Sequence, residues 1–118
     1  MENNRLISRN IRLLIDDWRA FCILGFAPSN TGLLPQYMRI YIKPYDQLVD
    51  REAKAHAISI TKNLEKGETF ESVTEDLTKE SVVGNVVHYV KNNLADIIAC
   101  KQPDKTVRLS TDPYRKIK

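Results

Sequence analysis

Four arginines, Arg5, Arg9, Arg12 and Arg19, fall within the single stretch RLISRNIRLLIDDWR, threaded by isoleucines, leucines and a tryptophan. A guanidinium is planar and permanently charged, and it donates two parallel hydrogen bonds to phosphate or carboxylate oxygens. The chemistry open to such a set is anion binding, above all to the phosphates of nucleic acid. Arg39 and Lys43 form a second basic stretch beside Tyr37, Tyr41 and Tyr45, and Lys101, Lys105 and Arg108 begin a third. Rings mixed with cations can stack bases while holding a backbone. At a spacing of four, however, the tyrosines are expected to pack their rings into a core and point their hydroxyls outward.

No other set of residues suggests chemistry. Cys22 and Cys100 lie far apart with no CxxC pair, and His56 and His88 are isolated, so neither a zinc site nor a redox pair has its usual spacing. The sequence contains no GxxxxGK[ST], GxSxG, HExxH or DxDxDG pattern. Catalytic residues, metal and cofactor are therefore expected to be absent, and the chain reads as a non-enzyme.

The 118 residues are 42% hydrophobic and 28% charged, ordinary values for one globular domain. The run from residue 20 to residue 38 is uncharged, but Gly25, Pro28, Gly32 and Pro35 interrupt it, and it does not meet the requirement for a membrane span. The start MENNR lacks a secretory pattern, so a cytoplasmic location is expected. The net charge of +3 conceals segregation: residues 65–80 carry six acidic side chains against two lysines, whereas residues 100–118 carry six basic against two acidic. Two surfaces with different partners are implied.

Hydrophobic periodicity predicts an all-α fold of about five helices. Leu6, Ile7, Ile11, Leu14, Trp18, Phe21 and Cys22 recur at threes and fours, predicting one long helix over residues 3–25. Residues 36–43 are ambiguous: Met38, Ile40 and Ile42 alternate like a strand, while Leu34, Met38, Tyr41, Tyr45 and Leu48 recur like a helix. A short helix over 35–42 with a break at Pro44 is the expectation. A helix over 46–66 follows, with Gly67 at its C-terminus. Thr69 then caps a short helix bearing Phe70, Val73 and Leu77, and Ser81 caps a last long one, from Val83 through Ile98. Residues 1–100 thus form one helical domain and residues 101–118 a basic tail.

On a helix, Arg5, Arg9, Arg12 and Arg19 would share an arc of roughly 80° and a row about 21 Å long, enough for several consecutive phosphates. Asp16 would lie in the same arc, close enough to pair with Arg12 and Arg19. The candidate nucleic-acid-binding residues are therefore Arg5, Arg9, Arg12, Arg19, Arg39, Lys43, Lys101, Lys105 and Arg108. With small size, helical reading, arginine row and basic tail taken together, the chain resembles the small helical subunit of type I CRISPR effector complexes. That resemblance implies an antiviral ribonucleoprotein in which copies stack beside other subunits and contact RNA or DNA backbone without catalysis. The alternatives are a helix-turn-helix DNA-binding regulator, with residues 70–92 as the motif and Lys79, Glu80, Asn85, His88 and Lys91 near a groove, or a protein-only adaptor or inhibitor.

Overall fold

The computed structural model describes residues 6–30, 32–75, 81–100 and 106–111. It is a mixed α/β fold, which corrects the all-helical expectation. Three long strands come first, β1 (Ile7–Ile15), β2 (Trp18–Ser29) and β3 (Gly32–Lys43). Four helices follow, α1 (Gln47–Glu65), α2 (Phe70–Thr74), α3 (Val82–Asn92) and α4 (Leu94–Ile98), and then a short strand, β4 (Val107–Leu109). The sheet order is β3-β2-β1-β4, with β1, β2 and β3 antiparallel in series and β4 parallel to β1.

Strand periodicity decides which residues are buried. Ile11, Leu13 and Ile15 on β1, Ala20, Cys22, Leu24 and Phe26 on β2, and Met38, Ile40 and Ile42 on β3 alternate along their strands. Because side chains on a strand alternate between faces, all ten project to one side. There they meet Ala53, Ala57, Ile60 and Leu64 of α1, Phe70 of α2, Val83, Val86, Val87 and Val90 of α3, and Ile97 of α4. Each fully buried large side chain contributes about 1.5–3 kcal/mol. The helices therefore cover one face of the sheet, and the other faces solvent.

The expected helix over 3–25 is broken by the two-residue turn Asp16–Asp17, where Asp16 adopts φ 54°. Aspartate tolerates this left-handed conformation better than most residues. The Asp16 carboxylate accepts hydrogen bonds from Ser110 Oγ at 2.9 Å and Thr111 Oγ1 at 2.6 Å. Its backbone N–H donates to the Leu109 carbonyl at 3.1 Å. Asp16 therefore holds β4 against the β1–β2 turn. Part of the segment expected to be a tail is in this way a strand of the sheet.

The second overturned helix, over 35–42, lies within β3, where the alternation of Met38, Ile40 and Ile42 prevails over the helical spacing. Among the helices, the expected caps Thr69 and Ser81 are present, and Asp46, where a helix was expected to begin, acts as a further cap. Asp46 accepts from the Leu48 and Val49 amides, each at 3.0 Å, Thr69 from Ser72, and Ser81 from Gly84. Gly67 follows α1 with φ 94°, the left-handed conformation that suits glycine. The last helix is shorter than expected, because Asn93 (φ −123°) leaves helical geometry and its side chain bonds the Tyr89 carbonyl at 2.8 Å.

β3 lies at one edge of the sheet, where an exposed row of N–H and C=O groups invites pairing with another chain. α1 packs along it, and Thr61 Oγ1 accepts from the Met38 amide at 3.1 Å and lies 3.4 Å from the Met38 carbonyl oxygen. Thr61→Val keeps the shape and removes the hydroxyl. We expect it to destabilise the fold by about 1–3 kcal/mol, the cost of an unsatisfied buried backbone donor, measured as a lower urea midpoint with unchanged slope.

Candidate nucleic-acid interface

Residues between the core positions point to the open face. They form four rows across β1, β2 and β3: Ser8, Gly25 and Tyr37; Asn10, Ile23 and Arg39; Arg12, Phe21 and Tyr41; Leu14, Arg19 and Lys43. Arg108 on β4 pairs with Leu14 and extends the last row. Strands lie about 4.8 Å apart and rows about 6.8 Å apart, so the last row spans about 14 Å. Arg12, Arg19, Arg39, Lys43 and Arg108 are all exposed. Among the described residues in these rows, five are cations and none is an acid.

The rings among these cations are held by their neighbours. Arg12 Cζ lies 5.5 Å from the Phe21 ring centroid, and Arg39 Cζ 5.5 Å from that of Tyr37. Both are at cation–π distance, worth about 0.5–1 kcal/mol at an exposed site. The Tyr37 ring occupies the space a side chain on Gly25 would need, so glycine is what lets it lie flat on the sheet. Beside this pair the register shifts: Gly25 faces Tyr37 but Phe26 faces Pro35, leaving Gln36 as a β-bulge. Tyr41, expected in the core, is 48% exposed, and Tyr45 is 73% exposed.

Of the nine residues singled out from the sequence, five meet on this face: Arg12, Arg19, Arg39, Lys43 and Arg108. The helical row does not exist, because Arg9 and Arg12 are three apart and point to opposite sides of a strand. Arg9 turns to the helix side, where its Nε and Nη2 donate to the Ile98 carbonyl at 3.3 and 3.2 Å. Asp16, expected to pair with Arg12 and Arg19, is engaged by Ser110 and Thr111 instead. Arg5, Lys101 and Lys105 lie outside the described residues, as do Lys79 and Glu80 of the helix-turn-helix reading. Phe21 and Ile23 belong to the face but were not among the candidates.

No family model, curated protein or solved structure matches this chain. Function has to be inferred from the side chains themselves. No group of three or more metal-ligating side chains occurs among the described residues. Cys22 is buried in the core, which pushes its thiol pKa far up, while Cys100 is exposed. His56 Nε2 lies 3.5 Å from Glu52 on the surface of α1. No described helix is long and apolar enough to cross a membrane.

Proposed function

We propose that this chain binds nucleic-acid backbone, without catalysing a reaction, through the open face of its sheet. The observation that carries the proposal is the segregation of five exposed cations and no carboxylate onto one face of the described sheet, interleaved with Phe21, Tyr37 and Tyr41. A face of this composition repels acidic partners nowhere and offers repeated contacts to a polyanion. Binding would be driven by counterion release, with little dependence on sequence.

Two earlier expectations lose ground. The likeness to a CRISPR small subunit rested on an all-helical architecture, which the sheet replaces, so the proposal stops at binding and names no assembly. A helix-turn-helix needs a recognition helix with a free face. Along α3 only Asn92 is exposed, and Glu71 on α2 and Glu75 just after it face solvent, where they would repel phosphates.

Fluorescence anisotropy of labelled single-stranded RNA, single-stranded DNA and duplex DNA across a salt series tests the proposal. With two to five single-strand phosphate contacts, the slope of log affinity against log salt should lie between about −1.4 and −3.5. Absence of binding to all three at low salt would reject it and favour a protein-only adaptor.

A further inference from the structure

Accepting the reading above, we infer that the ligand is a single strand whose bases stack on the sheet, rather than a duplex gripped only by its phosphates. The distribution of groups along the face leads to this. Charge is densest in the row containing Arg19 and Lys43 with Arg108 at its end, and rings lie in the rows beyond it, Phe21 and Tyr41 first, Tyr37 last. Tyr37 and Tyr41 are four residues apart on the same side of β3, about 13.6 Å along the strand, with Arg39 between them.

Rings at these positions would gain nothing from a duplex. Its base faces are sealed in the stack, and its surface offers phosphates and groove edges, which cations serve and aromatic rings do not. An unpaired strand exposes the faces of its bases, and each base stacked on an aromatic ring or a guanidinium plane adds to affinity with little regard to sequence. Tyr41 is the ring best placed for this, being 48% exposed and in the row next to the cationic one. Tyr37 is braced by Gly25 beneath it and Arg39 over it, so a base at that end would meet the Arg39 guanidinium plane. The ribose and deoxyribose forms share this chemistry.

The test compares three probes of equal length by anisotropy: a 12-nucleotide single strand, an abasic strand with the same phosphates, and the duplex. RNA and DNA versions of the single strand are both included, and binding of either supports the inference. Wild type should bind the base-bearing strand roughly 5- to 150-fold more tightly than the abasic one, the range for loss of one stacked base. Tyr41→Ala should erase most of that difference, and Tyr41→Phe should keep it. Equal binding of abasic and base-bearing strands, or tighter binding of duplex, would overturn the inference while leaving the phosphate-binding proposal intact. Circular dichroism of Tyr41→Ala, with Tyr41→Phe as the matched control, separates lost stacking from lost folding. Failure of every probe to bind would instead remove the proposal on which the inference rests.

Discussion

A variant with Arg12, Arg19, Lys43 and Arg108 all replaced by alanine is expected to lose nearly all the salt sensitivity of nucleic-acid binding. With five contacts to a single strand, wild-type affinity should fall about 130-fold between 50 and 200 mM salt; with Arg39 alone remaining, the fall should be under about 3-fold. All four side chains are exposed, and surface replacements of this kind usually change stability by within about 0.5 kcal/mol. Arg12 also loses its contact with Phe21, about 0.5–1 kcal/mol more. A companion variant with Arg12, Arg19 and Arg108 changed to lysine keeps the charge and should keep the slope, though it loses the planar fork. If the alanine variant retained the wild-type slope, the sheet face would not be the site, and Lys101, Lys105 and the remaining C-terminal cations would become the candidates.

The second large effect concerns the fold. Phe26→Ala should destabilise the protein by about 3–5 kcal/mol, against a total that for single domains is about 5–15 kcal/mol. Phe26 is fully buried opposite the Gln36 bulge, paired with Ile7 on one side and Pro35 on the other. A fall of roughly 1–5 M in the urea midpoint is the expected readout. The experiment also discriminates between architectures, because a helix ending at residue 25 would leave Phe26 in a loop, where truncation would cost little. A loss below about 1 kcal/mol would therefore count against the sheet.

Much of the helical half of the molecule was legible, because helix ends carry local chemical signals. Asp46, Thr69 and Ser81 have side-chain oxygens that meet amides two or three residues on, and Gly67 suits the left-handed position after α1. The β1–β2 hairpin was not legible, for two physical reasons. The β1–β2 turn is Asp16–Asp17, without glycine, asparagine or proline to mark it, so two strands read as one continuous segment. The open face is itself partly apolar: Leu14, Phe21 and Ile23 interrupt the alternation, and Leu14 and Phe21 complete a false helical stripe with Ile11 and Trp18.

The same ambiguity affected the candidate site. Arg12, Arg19, Arg39, Lys43 and Arg108 were recognisable as basic residues, but their common location depends on strand register between segments far apart in sequence. Arg9 shows the limit most clearly. Its type and spacing matched its neighbours, yet strand geometry sends it to the Ile98 carbonyl on the other side of the sheet.

The two-sidedness of the strands also separates tolerance to substitution from tolerance to insertion. On β1 the even-numbered residues 8, 10, 12 and 14 face solvent, while Ile11, Leu13 and Ile15 face the core. Exchanges among the even positions can retune what the surface binds without touching the packing, so the two properties can vary independently. An insertion or deletion of one residue within β1 would exchange the two sets beyond that point, driving Arg12 into the helix layer and bringing Leu13 to the surface. This strand should therefore accept many changes of letter and almost none of length.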